Sequence, residues 1–271
     1  MKQTWKKFGC LLAAAAMTMS LAACSQQEKA DDGKAGGDDD NTIVLGTSAD
    51  YAPFEFHKMV EGKDVIMGSD ISLAQKIADD MGKELVIKDM DFNSLLIELD
   101  NGTVDFVIAS MAPSKERAEQ VDFSEPYEYS TVGCLVRTED ADKYPTVESL
   151  EGKPIAAQSG SNLETIAKEQ MSGSTLVSLA KVPDMIMQLQ TGKVEAVLMD
   201  ADTALGYLAQ GDQLTMVDYG LHIDEDGLAV AVKKGNSQLL EKINASVKEA
   251  RDSGQMAKFK EEALAEAPEE E

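Results

Sequence analysis

The 271-residue chain holds 49 Asp and Glu against 25 Lys and Arg, a formal net charge of −24 at pH 7. Such an acidic chain argues against nucleic acid as a partner, because that polyanion is bound by neutralising its phosphates. The charge bears on solubility and steering and does not make a small ligand a cation. Cysteine is scarce: Cys10, Cys24 and Cys134 make neither a disulfide framework nor a cysteine metal cluster, and no metal or cofactor is expected.

In chain order, residues 1–23 read as a secretory signal, with Lys2, Lys6 and Lys7 as its basic start and an uncharged, mostly apolar run after them. That run is short of the roughly 20 apolar residues of a membrane span. It closes on Leu21-Ala22-Ala23-Cys24, which resembles the lipobox of bacterial lipoproteins, with Cys24 as the lipidated residue. Two acyl chains there would hold a soluble domain on a membrane, which implies an extracytoplasmic protein. Residues 24–41 are small, polar and acidic and are expected to be a flexible tether. An acidic tail is expected over 266–271.

Between them the periodicity predicts alternating strands and helices. Strands are expected at 42–46, 85–88 and 104–109, and helices at 69–81 and 92–99. The pattern then restarts, with strands at 154–158 and 194–199 and helices at 162–170 and 182–189. LDNGTVDFVIA (99–109) and LQTGKVEAVLM (189–199) share Leu, Gly, Val, an acid and Val at matching offsets. Any helix–glycine–strand unit tends to look this way, yet the second half clearly rebuilds the plan of the first. The β-rich stretches 130–137 and 227–233 bracket the second unit and read as two crossovers. Lobe 1 is then 42–130 with 227–265, lobe 2 is 131–226, and helices at 237–252 and 255–264 return to lobe 1. The class is α/β with mostly parallel sheets.

Ligands of open α/β sheets sit beyond the carboxyl ends of the strands. Four such ends carry polar residues: Ser48, Asp50 and Tyr51 after the first strand, Ser110 with Arg117 following, Ser159-Gly160-Ser161-Asn162, and Asp200. Arg117 offers a fork for a carboxylate, although taken alone an arginine there reads as a surface residue. The Ser-Gly-Ser-Asn turn offers free N–H groups to an anion, or is a plain helix cap. Asp200 offers an acceptor for an ammonium group, or is another strand-end cap. Together they suit a zwitterion.

On these residues the chain resembles the solute-binding proteins, family 3, of polar amino-acid ABC importers. The matching pieces are GTSADYAPFEF (46–56), GSDISLAQKIADDMG (68–82), ERAEQVDFSEPY within 110–127, LEGKPIAAQSGSN (150–162), GKVEAVLMD (192–200) and DGLAVAVKKGNSQLLEKIN (226–244). The resemblance implies a type II periplasmic-binding-protein fold, two α/β lobes joined by a two-strand hinge. It implies a monomer that closes on a free amino acid and delivers it to the membrane subunits of an ABC importer, with no catalytic residue. By that resemblance Arg117 and the Asn162 N–H hold the α-carboxylate, Asp200 and the Ser110 carbonyl hold the α-amino group, and Tyr51 packs on the side chain. The full expected ligand set is Ser48, Asp50, Tyr51, Ser69, Ser110, Met111, Ala112, Arg117, Gln158, Asn162 and Asp200.

Three positions depart from the family's pattern. Ser48 replaces an Asp frequent in members selective for basic amino acids. Ser69 replaces a second aromatic, and Ala112 replaces a ligand-binding hydroxyl. No second cation is placed near the side-chain end, so a buried ligand carboxylate there would lack a partner. Gln158 and Met199 suggest a neutral polar amino acid first. A basic one comes second, served by Asp50 or Glu55. Two other readings compete. One is a cyclohexadienyl dehydratase-like enzyme, although His57 and His222 have no partner at a useful spacing. The other is a sensor subunit that presents its ligand to a separate protein.

Overall fold

The computed structural model describes residues 41–222 and 227–267. The signal, Cys24, the tether up to residue 40 and the end of the acidic tail lie outside the described residues.

The first half runs β1 (Thr42–Thr47), β2 (Asp50–Tyr51), β3 (Glu55–Val60), β4 (Lys63–Met67), α1 (Ser69–Asp80), β5 (Glu84–Asp89), α2 (Leu95–Asn101), β6 (Phe106–Val107), α3 (Lys115–Gln120) and β7 (Val121–Phe123). There follow β8 (Val132–Arg137), β9 (Pro154–Gln158), α4 (Asn162–Gln170), β10 (Thr175–Leu179), α5 (Val182–Gln190), β11 (Ala196–Asp200), α6 (Ala201–Ala209) and β12 (Leu214–Met216). The chain ends in β13 (Ala231–Lys233), α7 (Ser237–Asp252) and α8 (Gln255–Glu266).

Two five-stranded sheets result, ordered β5-β1-β6-β13-β7 and β10-β9-β11-β8-β12. In the first, β1 pairs in parallel with β5 and β6, and β13 runs antiparallel to β6 and β7. In the second, β9 pairs in parallel with β10 and β11, and β8 runs antiparallel to β11 and β12. The plan is the same twice. The two similar stretches, 99–109 and 189–199, end in β6 and β11, which hold the same central place in their sheets. Each sheet is buried on both faces. Leu45, Phe106 and Val232 pack with Leu73 and Ile77 of α1 and Ile243 of α7, while Val107 and Ala231 turn the other way to Leu95 and Leu99 of α2. In the second sheet Ile155 and Leu198 meet Leu163 and Ile166 of α4, and Val197 meets Ile186 of α5.

The crossovers are shorter than expected, because β8 and β13 lie inside the sheets. The chain passes between the sheets at an antiparallel bridge of Glu128 with Leu228. Gly227 stands there at φ 94°, where an added Cβ would lie 2.7 Å from the Glu128 carbonyl oxygen. The ladder of β6 stops at Val107 rather than 109, because the chain turns at Ser110 into φ 45°. The antiparallel sheet β2-β3-β4 was not anticipated.

Candidate functional site

A cavity of about 40 Å³ lies between the two sheets, lined among others by Ser48, Tyr51, Ser110, Ala112, Arg117, Gln158, Asn162 and Asp200. Eight of the eleven expected residues thus meet in one place. Asp50, Ser69 and Met111 do not line it. Asp50 faces α5, with its carboxylate accepting the Val182 N–H at 3.2 Å. Ser69 is buried at the start of α1 and Met111 in the core beside α2. Met199, which with Gln158 suggested a neutral polar ligand, is also core. The volume suits a few water molecules, so the opposing walls touch one another directly.

Arg117 belongs to α3, which Ser114 caps by accepting the Arg117 N–H at 3.2 Å. Its guanidinium donates to the carbonyl of Ala112 at 2.6 Å and, across the cleft, to that of Gly160 at 2.9 Å. It also sits 5.4 Å above the centre of the Phe92 ring, a favourable cation–π distance. Phe92 lines the cavity and supplies an aromatic wall that Ser69 does not. The strand-end rule points to it as well, since it follows β5.

From the second sheet, Ser161 caps α4 by accepting the Glu164 N–H at 3.1 Å, which leaves Asn162 at the first turn facing the cavity. The Asn162 amide donates to the Ala112 carbonyl across the cleft at 3.3 Å. Gln158 is oriented by donating to the Ala180 carbonyl at 3.2 Å. Asp200, at the end of β11, accepts the Tyr51 hydroxyl at 2.8 Å and the Ser110 hydroxyl at 3.3 Å, and its N–H donates back to the Tyr51 oxygen at 2.6 Å. Burial raises the Asp200 carboxyl above its usual range, against those hydroxyl donors and Ser130. The Tyr51 ring stacks on Phe54.

A second carboxyl lines the wall. Glu55, at the start of β3, is 1 % exposed and borders the cavity. Asp70 lies behind it, fully buried on α1, accepting the Ser110 N–H at 2.8 Å and the Tyr127 hydroxyl at 2.7 Å. The first of these bonds helps hold Ser110 at φ 45°, a left-handed conformation that costs a non-glycine residue about 1–2 kcal/mol. Glu55 Oε2 and Asp70 Oδ1 have no hydrogen-bond partner, and the two carboxyls lie close enough to influence one another's ionisation. Two carboxyls in one buried site disfavour the state in which both are ionised. Burial, then the charge of Asp70, push Glu55 well above the carboxylate range. Burial raises Asp70 to about 6, opposed by the Ser110 N–H and the Tyr127 hydroxyl. Among the described lining residues one is cationic, Arg117, and two are acidic, Glu55 and Asp200.

Comparison with known proteins places this geometry. The chain is 34 % identical over 258 residues to the arginine-binding extracellular protein ArtP of Bacillus subtilis (strain 168), covering 94 % of this chain and 96 % of that protein. It superposes on an amino acid ABC transporter substrate-binding protein from Streptococcus pneumoniae Canada MDR_19A bound to L-arginine with a TM-score of 0.81 and 37 % identity, over 83 % of this chain and 95 % of that one. An ancestral arginine-binding protein bound to glutamine matches with a TM-score of 0.75 and 33 % identity, over 82 % and 97 % of the two chains. Residues 43–266 match the bacterial extracellular solute-binding proteins, family 3, and the chain belongs to that family.

Proposed function

We propose that this protein captures a free amino acid between its two lobes and delivers it to an ABC importer, with basic amino acids taken ahead of neutral polar ones. The single observation that carries the preference is Glu55, a carboxyl buried in the wall of a cavity whose one lining cation, among the described residues, is Arg117. In this reading Arg117 and the Asn162 N–H receive the α-carboxylate, and Asp200 and the Ser110 carbonyl receive the α-ammonium group. The side chain runs between Tyr51 and Phe92 toward Glu55, with Ser48 and Gln158 beside it. A guanidinium or ammonium group there gives the Glu55–Asp70 pair a positive partner, and such charge-assisted bonds contribute about 1.5–3 kcal/mol each. The order reverses the one read from the sequence, which weighed the missing Asp at Ser48 more heavily than Glu55. The relatives named for arginine support it.

A neutral polar ligand is the second reading. A protonated Glu55 both donates and accepts, which suits a carboxamide, and the ancestral relative is bound to glutamine. A thermal-shift screen of the twenty amino acids separates the two. Ligand at a hundredfold excess over Kd adds about 2.7 kcal/mol of stability, so the preferred amino acid gives the largest rise. Arginine or lysine leading supports the first reading and glutamine the second. Glutamate or aspartate leading overturns both.

The same proposal takes lobe 1 as 42–130 with 227–265 and lobe 2 as 131–226, hinged at the Glu128–Leu228 crossing. It takes the protein as a monomer anchored by a lipid on Cys24, at the cell surface or in the periplasm. Cys24→Ala should then release the protein into soluble fractions with ligand affinity unchanged; a variant that stays with the membrane contradicts the anchor.

A further inference from the structure

We infer that Asp50 is a positioning residue that holds the cleft shut by capping, from the opposite lobe, a helix that has no cap of its own. This rests on the reading that the ligand is held between the lobes. Helix α5 begins at Val182, and its N-cap position is occupied by Lys181, whose side chain makes no cap hydrogen bond. Lysine has no acceptor to offer, while the first N–H groups of a helix need one and its positive pole favours an anion. Asp50, on the short strand β2 of the other sheet system, supplies it: Oδ2 accepts the Val182 N–H at 3.2 Å. The same carboxylate lies 3.9 Å from the Lys181 ammonium, and Asp91, which follows β5, lies 3.4 Å from it.

Asp50 is prepared for this partner. The Ser48 hydroxyl donates to its other oxygen at 3.3 Å, and its own N–H bonds the Ser48 carbonyl at 2.8 Å. The Ala49 N–H is held by Asp89 at 2.8 Å. The Asp50 side chain is 10 % exposed. Burial raises its carboxyl above the usual range, against the lowering effects of Lys181 and the Val182 N–H, with Asp89 adding a like charge. Separation of the lobes removes the Val182 N–H and Lys181 together, leaving both the helix end and the carboxylate to water. The contact therefore belongs to the closed form alone. It contributes to affinity by favouring closure, not by touching the ligand, since Asp50 does not line the cavity.

The test uses the full chain, L-arginine and L-glutamine as probes, and the variants Asp50→Ala, Asp50→Asn and Lys181→Ser. Loss of a helix cap is worth roughly three- to thirtyfold in a closure equilibrium. Asp50→Ala should weaken both probes by the same factor in that range and speed their release, leaving the ratio of the two Kd values unchanged. Asn, a good cap without the charge, should recover part of the loss. Lys181→Ser gives α5 a cap of its own, so adding Asp50→Ala to it should cost less than in the parent. Spin labels on the exposed Ile97 and Met187 read closure directly: Asp50→Ala should lower the closed fraction with or without a probe. A changed arginine-to-glutamine ratio at unchanged label distances would place Asp50 in the ligand's side-chain subsite and overturn the proposal. Unchanged Kd values and unchanged distances would overturn it too. If neither probe binds the parent protein, the ligand reading fails while the label distances still decide the latch.

Discussion

At the scale of single residues, the account turns on a few charges buried together. Arg117 already spends its fork on two carbonyls, Ala112 and Gly160, and a ligand carboxylate is a better acceptor for both arms. Arg117→Ala should weaken arginine binding by about two orders of magnitude or more, since each ~1.4 kcal/mol is tenfold. Lysine at that position should recover little, because a point charge does not reproduce the fork. Calorimetry reads both. Glu55 and Asp70 make a different prediction. Burial and the charge of Asp70 raise Glu55 well above its usual range, and a cationic side chain beside it would pull that pKa back down. Arginine should therefore release up to one proton on binding and glutamine essentially none, as measured by comparing binding heats in two buffers of different ionisation enthalpy. Asp70, raised from 3.8 to about 6, also affects folding. Between those two values the native Asp70 keeps a proton that the unfolded chain gives up, so its contribution to stability falls as pH rises through that window and changes no further above it. The melting temperature should accordingly be higher near pH 5 than near pH 7.5, with Glu55 acting in the same direction, so Asp70→Asn should reduce that difference and Asp70→Asn with Glu55→Gln should reduce it further.

At the scale of elements, the rule that ligands sit at strand ends was enough to bring Ser48, Ser110, Asn162 and Asp200 to one cavity from four separate stretches of sequence, and the family resemblance added Gln158. The end of β5 carries Phe92 as well, an aromatic that a rule applied to polar residues passes over. Ser69 shows a different limit. It lies next to Asp70 in sequence, but the first turn of α1 points it into the core, a rotation that no local pattern specifies. The β2-β3-β4 sheet was missed because its outer residues, Lys58, Met59, Val60, Lys63, Asp64 and Val65, are exposed or nearly so, and a strand that buries little shows little alternation. Its function is legible only once folded, because β2 presents Asp50 and Tyr51 to the second sheet and β3 begins with Glu55. Gly227 is the element-scale prediction. At φ 94°, with the Glu128 carbonyl oxygen 2.7 Å from any Cβ, Gly227→Ala should cost about 1–3 kcal/mol of stability in denaturant unfolding. A comparable Gly211→Ala change, which meets nothing within 4 Å, should cost little.

At the scale of the whole molecule, two copies of one α/β plan face each other with the polar strand ends inward. The doubling was visible in the paired stretches 99–109 and 189–199. The closeness of the walls was not, because it depends on contacts between residues far apart in sequence, such as Tyr51 with Asp200 and Asn162 with Ala112. If closure follows the ligand, arginine should reduce the radius of gyration in small-angle scattering, and Asp50→Ala should leave more of the protein extended at the same arginine concentration. The central claim is that an amino acid is held between the lobes with its cationic side chain on Glu55. Calorimetric titration of the parent protein and of Glu55→Gln with L-arginine and L-glutamine tests it most directly. The account predicts that the parent prefers arginine, and that Glu55→Gln loses roughly tenfold or more for arginine while glutamine changes little. A parent that prefers glutamine, or a Glu55→Gln variant that binds arginine as tightly as the parent, would contradict it.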